Sequence, residues 1–300
     1  MLFRSRALGR LPEALASYDR AVERFPDNAV AQTGRAETLR ALGRLPEALA
    51  SYDRAVERFP DNAVAQNGRA ETLRALGRLP EALASYDRTA ERFPDDAVAR
   101  NGRATVLVDL GRVTDARHAL QAAGTAPKHP NDWVAAHILC MIDLRTKPNA
   151  ALVERLLTLA KDCPYAGSRR YFETTLFVAR VALQRHAEAA ASAQDLLAQS
   201  GFDAGERQVL HLMKAHAEAA RGDIQAARQS LTAASNVIPL QELIARRLQA
   251  EIERRYGLSG GRPLTHRADV DGADRLLIKL ETDIWMSRAM RNPDVVRIAA

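Results

Sequence analysis

The sequence predicts an all-α protein, a solenoid of stacked antiparallel helix pairs. Three observations carry this. The chain of 300 residues repeats itself every 34 residues, a period typical of units that bury their apolar faces only against their neighbours. Aromatics make up only 5% of the residues, and alanine and leucine supply much of the 47% hydrophobic content. That composition favours closely packed helices over stacked sheets. Glycine and proline recur at fixed places in each period, where they punctuate helices.

The repeat is almost perfect at first. Residues 41–74 reproduce residues 7–40 with a single change, Thr33 to Asn67. Residues 75–108 keep the frame with seven changes, at Thr89, Ala90, Asp96, Arg100, Thr105, Val106 and Val108. Within a unit, Pro60, Asp61 and Asn62 break the chain and offer a capping side chain. A first helix is expected over about 63–76, ended by Gly77. A second is expected over about 80–92, with Pro80 in the early position that tolerates a missing N–H. Leu79, Ala82, Leu83, Tyr86, Ala90 and Phe93 follow at three- and four-residue steps and form one buried stripe.

These residues resemble the tetratricopeptide repeat family. Leu73, Gly77, Ala82, Tyr86, Ala90 and Pro94 carry the likeness in one copy, and Leu39, Gly43, Ala48, Tyr52, Ala55 and Pro60 in the copy before. Two departures stand out. Gln32, Gln66 and Arg100 replace the family's usual tryptophan, and Arg35, Arg69 and Arg103 replace its usual first-helix leucine. The resemblance implies a right-handed superhelix, and the period implies about six to seven helix pairs. It is regular over 1–130 and diverges over 131–256. Gly111 and Ala116 keep the frame and Pro130 closes that unit; beyond it helix pairs are expected over 133–144 with 152–160, and over 171–183 with 187–198. Another is expected over 209–220 with the stretch carrying Ala227, Leu231 and Ala234 up to Pro239. A single solvating helix is expected over 240–256, a linker over 257–270, and a C-terminal helix and tail over 271–300. That last helix would be capped by Asp271 and carry Leu276, Leu277, Leu280, Ile284 and Trp285 on its apolar side.

The front end is irregular. Residues 2–6 align with 36–40, so the first repeat lacks about half of its first helix, and Leu15, Tyr18 and Val22 are expected to be partly uncovered. Self-association through this open repeat is one expectation; a chain start inside a longer array is another. Exposed apolar area of that kind favours association.

Charge narrows the partners. The formal net charge is +6, yet in 41–74 five arginines balance five acids, and the excess is spread thinly. A nucleic-acid-binding protein gathers its cations on one face, so the pattern argues against nucleic acid. Cys140 and Cys163 have no close spacing and form no zinc or disulfide pattern, which points to a reducing compartment; Cys140 and Met141 read as core. No apolar run reaches membrane length. Cytoplasm is the expected location, provided no leader lies upstream of Met1.

In this family the first helices line a concave groove. Carried onto matching positions, the lining residues are Val30, Thr33, Glu37 and Arg40; then Val64, Asn67, Glu71 and Arg74; then Val98, Asn101 and Thr105. The amides of Asn67 and Asn101 could hydrogen-bond an extended peptide. The alternating glutamates and arginines could pair with its charges. Equally, Glu37 with Arg40 and Glu71 with Arg74 could be surface pairs worth about 0.2–0.5 kcal/mol each. A carboxylate clamp built on lysine is not expected, since no lysine precedes Lys128.

No catalytic constellation, cofactor or metal is expected. His211 and His216 fall on different faces of a helix. The run from Asp269 to Asp274 imitates a calcium loop, but its glycine is fourth and Leu280 stands at the twelfth place, so a helix start explains it better. The leading expectation is a non-catalytic scaffold that holds an extended peptide or protein segment in the groove. Two alternatives stand beside it: the repeat arm of a larger glycosyl- or sulfo-transferase, and a self-assembling scaffold.

Overall fold

Local chemistry sets the helix limits. Asn28, Asn62 and Asp96 each cap a first helix; the side chain of Asn62 accepts from the Ala65 N–H, and that of Asp96 from those of Val98 and Ala99. Such caps satisfy amide groups that the helix leaves open. At the other end Gly77, with φ of +74°, lets Arg78 N donate to Leu73 O across the last turn. That is the left-handed C-terminal cap glycine allows without steric penalty. The second helices of the regular units that start at Leu11, Leu45 and Leu79 each carry a proline, Pro12, Pro46 or Pro80, in the second position.

The computed structural model describes residues 10–124, 127–202, 204–237 and 243–289. It is all-helical among them, with fifteen helices packed in consecutive pairs. In order these are α1 (Leu11–Arg24), α2 (Ala29–Ala41), α3 (Leu45–Arg58), α4 (Ala63–Ala75), α5 (Leu79–Arg92), α6 (Ala97–Asp109) and α7 (Val113–Gly124). Then come α8 (Pro130–Thr146), α9 (Ala150–Asp162), α10 (Ala166–Ala182), α11 (His186–Ala198), α12 (Ala204–Ala220), α13 (Ile224–Val237), α14 (Leu243–Tyr256) and α15 (Arg267–Ala289). The even-numbered helices from α2 to α12 are first helices, each followed by its second. No described helix is long and apolar enough to cross a membrane.

The regular units match their expected limits to within a residue or so. The divergent ones run longer: α10 starts five residues before its expected start, and α12 likewise. The last helix starts at Arg267, so Asp271 lies inside it and is not its cap. Residues 2–6, Pro239 and the tail beyond 289 lie outside the described residues, as do the side chains of Ile284 and Trp285.

The chain divides into two compact units, residues 1–136 and 137–298. In the first, Ala14, Ala48 and Ala82 are fully buried, and so are Tyr18, Tyr52 and Tyr86. Each tyrosine ring lies against a glycine of the next first helix, Gly34, Gly68 or Gly102, where any Cβ would fall inside contact distance. The expected exposure at the front end is therefore not found for two of its three residues. Leu15 is buried with Leu39 and Ala48, and Tyr18 under α2, while Val22 is half-buried.

In the second unit, His137 is buried with its ring against Tyr171 and Phe172 and its Nε2 2.8 Å from Thr175 Oγ1. Burial pushes this imidazole down to about 4, and the Cys140 thiol up to about 12. Both are neutral at physiological pH and serve as core.

Candidate interaction face

In the first unit α2 packs beside α4, and α4 beside α6. The residues assigned to the groove therefore stand in three neighbouring rows: Thr33, Glu37 and Arg40; Asn67, Glu71 and Arg74; Asn101 and Thr105. Their exposure is uneven. Val30 and Val64 are exposed, at 56% and 55%, whereas Thr33, Asn67, Asn101 and Thr105 are buried, at 5%, 9%, 6% and 3%. Val98 is half-buried.

The buried polar groups mostly serve the chain itself. Asn67 Nδ2 donates to Asp96 Oδ2 (2.8 Å), and Asn101 Nδ2 donates to Asn131 O (2.8 Å). Each amide thus ties its helix to the start of the next first helix. Asp96 serves twice, since its other oxygen caps α6. The hydroxyls of Thr33 and Thr105 donate to the backbone oxygens of Ala29 and Asn101, one turn back.

The charged pairs form a ladder across helices. Arg74 Nε donates to Asp109 Oδ2 (2.7 Å) on α6, and its Nη1 to Glu71 Oε1 (3.3 Å). Glu71 also accepts from the Tyr86 hydroxyl at 3.2 Å. Arg40 stands near Tyr52, Glu71 and Glu37. Burial opposes the charge on Arg40 and Arg74, but the surrounding glutamates, with Asp109 for Arg74, more than offset it and hold both above the ordinary arginine value. Burial, then Glu71, raises the Tyr86 phenol well above its usual value. These residues are more than the isolated surface pairs they resemble in sequence.

A second ladder explains a departure from the repeat pattern. Arg35, Arg69 and Arg103 each donate from Nε to an aspartate of the preceding second helix, at Asp19, Asp53 and Asp87, over 2.5–2.6 Å. Arg35 and Arg69 also reach forward to Ser51 and Ser85. One arginine thereby spans three helices, a link that a leucine could not make. The sequence offered a signal for this, since the arginine, aspartate and serine all keep the 34-residue period.

Among the described residues no group of three or more histidine, cysteine, aspartate or glutamate side chains could hold a metal ion. The run from Asp269 to Asp274 lies within α15, with Asp274 accepting from Arg255 Nε at 2.8 Å.

Helix pairs stacked in chain order, with first helices side by side and small residues at their contacts, define a helical-repeat protein. A family model described as tetratricopeptide repeat matches residues 6–63 and 67–130. Those residues belong to the tetratricopeptide repeat family. No curated protein matches the chain in sequence. Among solved structures, the chain is similar to a tetratricopeptide repeat protein from Parabacteroides merdae ATCC 43184. The identity is 18% and the TM-score 0.61, covering 83% of this chain and 94% of that one. It is also similar to a chain of the APC/C hetero-tetramer Cut9-Hcn1, with 17% identity and a TM-score of 0.64. That likeness covers 84% of this chain and 48% of that one, so it spans about half of the matched subunit.

Proposed function

We propose that the chain is a non-catalytic protein-interaction scaffold whose first unit holds an extended protein segment across α2, α4 and α6. The observation that carries this reading is the pair of exposed valines. Val30 and Val64 occupy equivalent places one period apart, more than half exposed, on neighbouring first helices. Isolated exposed apolar residues are ordinary; a row of them at the repeat spacing is a surface that a ligand would cover. The family's general role and the partnered state of one structural neighbour agree with it.

Within this reading the polar residues divide. Asn67 and Asn101 keep adjacent first helices in register, and Arg74 stiffens the face through Asp109 and Glu71. Contact with the ligand falls first on Val30, Val64 and Val98, with Glu37 and Arg40 beside them. Near-identical units present near-identical side chains, so the ligand would be read largely through shape and backbone, with avidity growing as units are added.

The test uses peptides selected from a display library on the full chain. Val30→Asp with Val64→Asp should weaken the selected peptides at least tenfold, with helicity unchanged by circular dichroism. Leu157→Asp on α9, an exposed apolar residue of the other unit, should leave them unaffected. If the valine variants bind as the parent does, this face is not the site.

A further inference from the structure

In the second unit, after the first helices α10 and α12 and the single helix α14, the C-terminal helix doubles back. The reversal is built into the turn after α14. Gly257 has φ of +66°, and a Cβ on it would lie 2.6 Å from Gly261 O. Leu258 N donates to Glu253 O and Leu264 N to Arg255 O, which fold the segment against the end of α14. The helix that follows packs on α14 and also on α10, two pairs earlier in the chain. Its buried residues are Ala273, Leu277 and Leu280, at steps of four and three along one face. Beside them Asp274 accepts from Arg255 of α14 and stands near His186, which leads α11. His186, His216 of α12 and Tyr256 of α14 form a chain of rings, with centroids 6.3 and 5.9 Å apart. An apolar stripe with one acid, seated on α10 and α14, is the geometry of an amphipathic helix bound to a receiving surface.

We propose that α15 is a built-in ligand, and that the face formed by α10 and α14 accepts in its place a partner's amphipathic helix of the same pattern. That pattern is a small residue, an acid directly after it, and leucines four and seven positions after the small one. Arg255 reads the acid. Among the described side chains of α15, Ala273, Leu277 and Leu280 are buried and Asp274 forms an ion pair with Arg255 that is partly open to solvent, so one charge reversal there can loosen the helix. The partner is a helix from another protein, docking on a surface separate from the valine row, and the proposal stands or falls independently of that reading.

The probe is a fluorescent synthetic peptide of residues 267–289, added to the full chain. Wild type should bind it weakly, because α15 competes at high effective concentration. Asp274→Arg in the full chain should loosen α15, speed amide exchange over 270–280, and tighten peptide binding at least tenfold. Adding Arg255→Asp re-pairs α15 with reversed charge and sets an aspartate against the peptide's own acid, so peptide binding should fall to the wild-type level or below it. If Asp274→Arg does not fold, a Gly-Ser insertion between Gly260 and Gly261 serves instead, since a longer tether lowers the effective concentration of α15 and should also tighten peptide binding. The proposal is overturned if the amides of α15 in wild type exchange as fast as those of the isolated peptide. It is equally overturned if loosened variants bind peptide no more tightly than wild type. Loosened chains that pair into dimers without taking up peptide would show exchange between copies and sink it too.

Discussion

His137 shows how one side chain can set a response of the molecule. Its neighbours are Tyr171, Phe172 and Thr175, and burial lowers its pKa from 6.5 to about 4. In the unfolded chain the ring takes up a proton as pH falls through 6.5; in the folded one it does so only near 4. The unfolded state therefore binds more protons between these values. Stability from this group is fully present above pH 6.5 and is lost as pH falls toward 4, by about 3 kcal/mol at 1.36 kcal/mol per unit. His186, lowered by burial and then by His216, works in the same direction. Denaturant unfolding at pH 7 and pH 4 should show the loss, and His137→Gln should remove about 2–3 kcal/mol of that pH dependence. An equal loss in the variant would mean that other groups carry it. The sequence put Cys140 in the core correctly, yet nothing in the spacing around His137 revealed a buried imidazole, because its partners come from a helix more than thirty residues away.

At the scale of the element, caps and breakers were legible because they act within a few residues: Asn62, Gly77 and Pro80 mark helix ends wherever they stand. What lay hidden depends on which faces meet. Gly68 stands inside a helix, where glycine is a poor former; it is the seat of the Tyr52 ring, and Gly34 and Gly102 seat Tyr18 and Tyr86. The contact joins α3 to α4, so its loss should loosen one helix pair from the next. Gly68→Ala would gain helix propensity but force the methyl into a fully buried ring. Overpacking of that kind costs about 1–3 kcal/mol, and the steric term should win. Thermal unfolding of Gly68→Ala should show a lower midpoint, and Tyr52→Phe should not relieve it, since the ring itself is in the way. A midpoint at or above the parent's would show that the helices separate freely here. The same reasoning explains the groove residues. Asn67 and Asn101 were assigned to a ligand by matching positions; the Nδ2 of each also donates to the start of the following first helix, a relation that spacing cannot display.

Over the whole molecule, near-identical units make the frame itself testable. Deleting residues 41–74 joins Arg40 to Ala75 and places each residue of 7–40 where its counterpart in 41–74 had been. Arg35 then stands where Arg69 was, between Asp19 and Ser85 in place of Asp53 and Ser85. Arg40 takes the place of Arg74 beside Asp109, and Glu37 that of Glu71 beneath Tyr86. Tyr18 still meets Gly34. One inter-repeat contact is not regenerated: Thr33 replaces Asn67, so Asp96 loses the amide that donates to it. The shortened chain should fold with unchanged helicity per residue, be less stable by one unit with its interfaces, and bind the selected peptides more weakly without losing them. Adding Thr33→Asn to the deletion should rebuild the bond to Asp96. A hydrogen bond to a charged group contributes about 1.5–3 kcal/mol, so denaturant unfolding should recover an amount of that order. In the undeleted chain the repeat counterpart of Asp96 opposite position 33 is Asn62, which accepts from Ala65 N and carries no charge, so the same substitution should add less. If the deletion unfolds the chain, or Thr33→Asn stabilises both backgrounds equally, the repeats are not interchangeable at that interface and the tie between Asn67 and Asp96 does not act as described.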